Sequence, residues 1–280
     1  MKRVHFLLFC TLGLMLSLAG GAQAGIRIEK NLKLESGGSL YMDAGGGDIL
    51  VTGTPEAGVR VVVTTNLSDL ENFLDLHFDE EPHAVRISAH RRSDAPWPKH
   101  FTLKFEIMVP RQTSLELKTG GGDVRARDLE GTFHLRTSGG DVEVSDVRGN
   151  LQGETSGGDM HVRQLSGNVE LHTSGGDIRA EEISGRVDIH TSGGDIVVSL
   201  LRGNAQGGEV ETSGGDINVA LDPVVNLNLE ATAGSGDIDS KLPLTISGSI
   251  PHSSLRGMLG KGGELLRLHS AGGDISLRAL

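Results

Sequence analysis

The sequence predicts an all-β fold: a parallel β-helix or β-solenoid with one 18-residue coil per repeat and irregular β caps at both ends. Three observations carry this. First, Gly-Gly-Asp recurs, ending at Asp48, Asp123, Asp141, Asp159, Asp177, Asp195, Asp216 and Asp274, with a Gly-Ser-Gly-Asp variant ending at Asp237. From Asp123 to Asp195 the spacing is 18 residues four times running, and the next two steps are 21 residues each. Such self-similarity signals a stacked architecture. Second, short runs of alternating apolar residues broken by glycine fill each repeat, the pattern of strands and tight turns. Third, no proline occurs between Pro110 and Pro223, as expected where strands are paired on both sides.

Taken in chain order, residues 1–24 have the pattern of a secretory signal peptide. Lys2 and Arg3 precede an apolar run from His5 to Leu18, and Ala22-Gln23-Ala24 forms a small-x-small cleavage site. The run is shorter than the ~20 residues a spanning helix needs. Cys10 follows Phe9 rather than a small residue, which argues against a lipid-modified cysteine. The expected product, Gly25 onward, has no cysteine and no segment apolar enough to span a bilayer, so no transmembrane anchor is expected after cleavage.

Residues 25–110 read as an N-terminal β-rich cap. Ile26 to Leu34, Val59 to Val63, Val85 to Ile87 and Phe101 to Val109 alternate as strands. Ser68-Asp69-Leu70-Glu71 suggests one capped helical turn, and Arg91 to Lys99, with Pro96 and Pro98, reads as a loop.

Residues 111–240 are the regular solenoid. Apolar residues fall one and three places after each aspartate, as Val142 and Val144, Met160 and Val162, Ile178 and Ala180, Ile196 and Val198. Another falls six places on, at Val147, Leu165, Ile183 and Leu201, and glycine follows at eight. Phe133 and Leu135, Val169 and Leu171, Val187 and Ile189 occupy places ten and twelve before Thr-Ser-Gly-Gly closes the unit. A hairpin per repeat also fits Gly-Gly between alternating runs. The solenoid is favoured because like-on-like stacking rewards identical residues at every level. Its longer steps are absorbed by a corner loop, and right-handed winding is the default for parallel crossovers. The outward columns are Lys118, Arg136, Glu154, His172, His190, Glu211 and Glu116, His134, Gln152, Glu170, Asp188, Glu209. Their mixed signs predict pairs such as Arg136 with Glu154. Residues 241–280 break the period with Pro243 and Pro251 and end in a strand pair from Leu265 to Leu280, a C-terminal capping segment.

Composition narrows the function. Of 280 residues, 41 are glycine and only one is cysteine, with a formal net charge of −11. The lone cysteine excludes a disulfide framework, and the acidic balance disfavours nucleic acid and anionic lipid. From residue 111 onward the only aromatic is Phe133, which disfavours a sugar- or base-stacking platform.

The repeated TSGGDI strings, the lead-in MVPRQTSLELKTGGGDV (108–124) and the ending GKGGELLRLHSAGGDISL (260–277) resemble a bacterial domain-of-unknown-function family labelled "putative adhesin". The resemblance covers about residue 30 to the end. It implies an exported β-helical protein and no catalytic residue.

Candidate sites follow from the columns. Asp123, Asp141, Asp159, Asp177, Asp195 and Asp216 form the candidate metal ladder, with calcium as the possible ion. Calcium takes six to eight oxygens, and each repeat has one such turn, so the alternative is that each aspartate accepts hydrogen bonds from turn amides. Thr137, Thr155, Thr173 and Thr191 share the inward phase and need hydroxyl partners from a neighbouring level. His134, His161, His172 and His190 lie in outward columns, and only His172 and His190 share one at adjacent repeats. No nucleophile elbow is present, no catalytic residue and no cofactor are assigned, and the outward acids read as a solvated face rather than a glycosidase pair. Trp97 is a possible contact residue, and Asn66-Leu67-Ser68 matches a glycosylation acceptor.

The leading expectation is an exported, non-enzymatic β-solenoid, periplasmic or at the cell surface, acting as an adhesin-like interaction scaffold for an envelope or surface protein or glycan. The alternatives are a calcium-dependent binding module using the aspartate ladder and, third, a polysaccharide-acting β-helix enzyme.

Overall fold

The computed structural model describes residues 25–92, 101–246 and 252–280. The expected signal segment 1–24 and the Pro96-Trp97-Pro98 loop lie outside the described residues. No described helix is long and apolar enough to cross a membrane.

The chain forms a two-sheet β-solenoid. Its N-terminal strands are β1 (Ile26–Leu32), β2 (Gly38–Ala44), β3 (Asp48–Thr54), β4 (Val59–Thr65), β5 (Leu74–Glu81), β6 (Ala84–Arg91) and β7 (Leu103–Pro110). The regular region runs through β8 (Thr113–Thr119), β9 (Val124–Glu130), β10 (Phe133–Thr137), β11 (Val142–Arg148), β12 (Leu151–Glu154), β13 (Met160–Ser166) and β14 (Val169–Thr173). It continues through β15 (Ile178–Ile183), β16 (Val187–Thr191), β17 (Ile196–Leu200), β18 (Gly208–Thr212) and β19 (Ile217–Leu221). Then follow β20 (Leu227–Ala233), β21 (Ile238–Ser240), β22 (Thr245–Ile246), β23 (Ser254–Leu259), β24 (Leu265–Ser270) and β25 (Ile275–Ala279).

In the regular region even-numbered strands join a 13-stranded sheet and odd-numbered strands a 12-stranded sheet. One coil is therefore a strand in the first sheet, the Ser-Gly-Gly-Asp turn, a strand in the second sheet and a glycine corner. Parallel pairing keeps equivalent residues in register, so Val142, Met160, Ile178, Ile196, Ile217 and Ile275 stand in one column. The core lies between the sheets. Val169, Leu171, Ile178, Ala180 and Ile183 of one coil are each at most 1% exposed. Each large aliphatic side chain so buried contributes roughly 1.5–3 kcal/mol.

The step from place three to place six explains the corner. Strict alternation would turn the residue at six outward, yet Val147 and Leu165 are buried. One residue per coil absorbs the phase change by taking the left-handed conformation: Asp128 (φ 60°), Asp146 (φ 56°), Gln164 (φ 54°) and Glu182 (φ 58°). This conformation costs an L-residue roughly 1–2 kcal/mol. Replacing exposed Gln164 with glycine is therefore expected to raise stability by about 0.5–1 kcal/mol, after the larger entropy loss of glycine on folding. Arg163→Gly, one place earlier in ordinary strand geometry, is expected to lower it by a similar amount. Urea midpoints of the two variants check the opposite signs.

At β17 the pattern departs from expectation. Leu200, not Leu201, pairs with Ile183 and is buried, and Leu201 is 46% exposed. This coil lacks the left-handed residue, so the inward position arrives one residue sooner. The extra residues of the 21-residue step form a corner loop held by Asn204, whose Nδ2 donates to the carbonyls of Ile183 (2.8 Å) and Gly185 (3.0 Å).

At both ends, stacking order differs from chain order. β8 and β9 stack on β2 and β3, while β6 and β7 lie on the far side of that coil. Antiparallel β5 covers β6, and antiparallel β4 followed by β1 covers β7. At the C-terminal end, β24 inserts between β18 and β20, and β25 between β19 and β21. Antiparallel β23 and β22 then extend the sheet beyond β20. Edge strand β5 carries Asp75, Asp79, Glu80 and Glu81, charges that discourage pairing with a further strand. The helical turn expected near Ser68 is a single 3-10 turn at Leu70–Asn72, and Asp69 makes no side-chain cap there; only its carbonyl accepts from Asn72 N–H (3.1 Å).

Candidate functional site

The repeated turns align into one edge of the stack. Asp123, Asp141, Asp159, Asp177, Asp195 and Asp216 form a single row, extended by Asp48 at one end and by Asp274 and Asp237 at the other. Each carboxylate Oδ1 accepts the backbone N–H of the next aspartate. The distances are 3.1 Å for Asp48 to Asp123, 3.0 Å for Asp123 to Asp141, and 2.8 Å for each step from Asp141 through Asp216. Asp274 N–H then reaches Asp216 at 2.8 Å and Asp237 N–H reaches Asp274 at 2.9 Å. The row thus follows spatial order, with Asp274 ahead of Asp237. These charge-assisted bonds use one oxygen of each carboxylate. Each level offers one carboxylate, so the row does not assemble the six to eight oxygens of a calcium site. Among the described residues, no group of three or more His, Cys, Asp or Glu is arranged to hold a metal ion.

The threonines complete the turn. Buried Thr173 donates from Oγ1 to the Gly158 carbonyl (3.1 Å) one level back and accepts from Gly176 N–H (3.4 Å) in its own turn. Thr137, Thr155 and Thr191 repeat this, and Ser270 takes the role in the inserted coil. At the opposite corner, Asn150 Oδ1 accepts Asn168 N–H (3.2 Å) and Asn168 Oδ1 accepts Arg186 N–H (3.0 Å). This second ladder is absent from the sequence-based expectations, although two asparagines 18 residues apart are its signal.

The outer faces carry registered charge. On the 13-stranded sheet the expected Arg136–Glu154 pair forms at 2.6 Å. His134 Nδ1 meets Gln152 Oε1 at 2.9 Å, and a shallow groove of about 310 Å³ runs over Glu116, Lys118, His134, Arg136, Gln152 and Glu154. His190 Nδ1 lies 3.4 Å from Glu211 Oε2, and Arg267 of the inserted coil reaches Glu209 at 3.6 Å. On the 12-stranded sheet, His161 meets Glu181 at 3.3 Å, and Arg125 bridges Asp123 (2.9 Å) and Glu143 (3.1 Å). Partial burial works against the Arg125 guanidinium, but its bonds to Glu143 and Asp123 outweigh it and raise its pKa above the ordinary value. Exposed pairs of this kind contribute roughly 0–1 kcal/mol each. Asn66 Oδ1 accepts Thr102 N–H at 3.0 Å. The structure thus joins the aspartates in one row and His172 with His190 in one column, and it leaves His134 and His161 on separate columns, on opposite sheets.

The Toastrack DUF4097 family profile matches residues 99–278. No curated protein matches the chain. Among solved structures, a "putative adhesin" from Bacteroides fragilis NCTC 9343 is 12% identical, aligning 93% of this chain with 100% of that one at a TM-score of 0.56. A "putative lipid binding protein" from Parabacteroides distasonis ATCC 8503 is 15% identical, over 90% of this chain and 96% of that one, at a TM-score of 0.49. At such identities the likeness concerns the fold. The profile match spans the regular coils from β8 onward and the inserted coil that completes the aspartate row, and the chain belongs to the Toastrack DUF4097 family.

Proposed function

We propose that the protein is exported after removal of residues 1–24 and acts in the periplasm or at the cell surface as a non-enzymatic, adhesin-like scaffold. Its partner would be an envelope or surface protein or a glycan. The observation that carries this reading is the outer face of the 13-stranded sheet. There, ionic side chains stand in registered columns and pair along them, as Arg136 does with Glu154, rather than converging on one reacting centre. A rigid array of this kind suits recognition by complementary charge, which sets specificity and encounter rate. The adhesin label of the Bacteroides fragilis neighbour agrees with it.

The test is capture from a native envelope extract by immobilised protein, with wild type compared with Lys118→Glu/Arg136→Glu. Retention of a discrete envelope component by wild type and its loss with the charge-reversed protein is the expected result. Equal capture by both, or no component retained, overturns the proposal.

A further inference from the structure

Among the described residues the two sheets end in β1 and β21 on the 12-stranded sheet and in β22 and β5 on the 13-stranded sheet. An edge strand offers unpaired backbone N–H and C=O groups to another chain unless it is short or guarded by charge. β21 and β22 have three and two residues, and β5 carries Asp75, Asp79, Glu80 and Glu81. β1 is neither short nor of one sign: it has seven residues, with Arg27, Glu29 and Lys30 along it. It also overhangs. Beyond the coil of β2 and β3, the 12-stranded sheet continues through β7, β4 and β1, but the 13-stranded sheet only through β6 and β5. Ile26, Ile28 and Leu32, on the inward face of β1, are accordingly only half-buried.

We propose that β1 pairs antiparallel with β1 of a second copy of this chain, about a two-fold axis at Ile28, so that the two 12-stranded sheets become one continuous sheet. The backbone is set for it. Lys33 N–H, just past β1, donates to Glu80 Oε1 (3.1 Å), away from β4, while the Leu34 carbonyl accepts Gly58 N–H (3.0 Å) on the β4 side. Backbone groups alternate sides along a strand, so those of Arg27, Glu29 and Asn31 face away from β4.

Charge selects the register. An axis at Glu29 or at Lys30 sets that residue directly opposite its own copy, and like charges so placed are unfavourable. The axis at Ile28 instead sets Arg27 opposite the partner's Glu29, twice by symmetry, and Ile28 opposite the partner's Ile28. Arg27 and the partner's Glu29 then also exchange backbone bonds. Glu29 is ionised, since Arg60 lies 2.7 Å away and holds its carboxyl below the usual carboxylate range. The acids of β5 do not oppose the contact. Because β1 overhangs by one strand, the two β5 strands stand three strand spacings apart, about 14 Å, beyond the screening length of ~8 Å in physiological salt. The contact uses an edge of the 12-stranded sheet and not the outer face of the 13-stranded sheet, so it stands or falls separately from the scaffold reading.

Sedimentation equilibrium of the purified protein from micromolar to millimolar concentration tests it, with amide exchange followed residue by residue. The expected result is a monomer–dimer equilibrium in which the Arg27 and Glu29 amides exchange more slowly as concentration rises. The Ile28 and Lys30 amides, which face β4, should be slow at every concentration. Glu29→Arg, which sets like charges opposite each other at two symmetric points, is expected to weaken the dimer about tenfold or more. Arg27→Glu/Glu29→Arg exchanges the two signs and is expected to restore it, although it loses the same bond to Arg60. That comparison separates an effect at the interface from damage to the fold. A monomer at every concentration, a dimer indifferent to Glu29→Arg, or equal weakening in the double variant overturns the proposal.

Discussion

Gly158→Ala is expected to destabilise the protein by about 3 kcal/mol or more, whereas Gly157→Ala, one residue earlier, is expected to stay within about 0.5 kcal/mol of wild type. A Cβ on Gly158 would overlap the carbonyl group of Gly140 in the coil beneath. A Cβ on Gly157 meets nothing nearer than the Ser138 carbonyl oxygen, 4.0 Å away. Neither glycine is in the left-handed region, so the contrast is one of stacking distance and not of backbone freedom. The coil cannot lift away to relieve the overlap. Asp141 Oδ1 holds Asp159 N–H below, and the next turn is bonded above through Thr173 to the Gly158 carbonyl. The same overlap recurs at Gly140, Gly176 and Gly194, so alanine at any of them should behave alike. Urea or thermal midpoints of the two variants decide the matter. Equal loss in both would mean that the turns do not sit one upon another.

The second large effect concerns the inserted coil. Leu268 is fully buried, with Val210 on one side and Ala231 on the other. Leu268→Asp places an unpaired carboxylate in that core, at a cost of several kcal/mol. Because β24 joins β18 to β20, the damage should spread to every strand beyond Leu221. Hydrogen exchange should show loss of protection in β20 and β23 as well as in β24, while β10 to β15 remain protected, as expected where each repeat contacts only its neighbours. Leu265→Asp in the same strand, at a position 36% exposed, should leave exchange nearly unchanged. Damage limited to β24 and β25 would show that these strands are a terminal flap and not a link in the stack.

Much of the regular region is legible in the amino-acid sequence. The 18-residue period, the inward places and the Arg136–Glu154 pair follow from like-on-like stacking, because each coil repeats a local pattern. The phase jump from Val144 to Val147 even contains the corner, since two inward residues three places apart require one residue out of strand geometry. Other features are not legible there, for physical reasons. Whether Leu200 or Leu201 turns inward depends on the left-handed residue being present, and apolar character at both positions hides the choice. Strands β2 and β3 belong to a full coil, yet a 75-residue gap separates Asp48 from its neighbour Asp123. The pairing of Asp274 with Asp216, 58 residues apart, likewise leaves no mark in the spacing. The ends are ordered by which strands bury each other's faces, a nonlocal contest without a period. The outward column of the 13-stranded sheet shows the consequence: the 18-residue spacing makes neighbours of His172 and His190, but His269 comes into register with Glu211 only through the insertion.

The most direct measurement of the stack is a set of scalar couplings across backbone hydrogen bonds in perdeuterated protein. The inserted coil predicts a coupling from the Ile217 amide nitrogen to the Asp274 carbonyl carbon and another from Ile275 to Asp237, matching bonds of 2.9 Å each. A coupling from Ile217 to Asp237 instead would place the coils in simple chain order and contradict the insertion on which the C-terminal architecture rests.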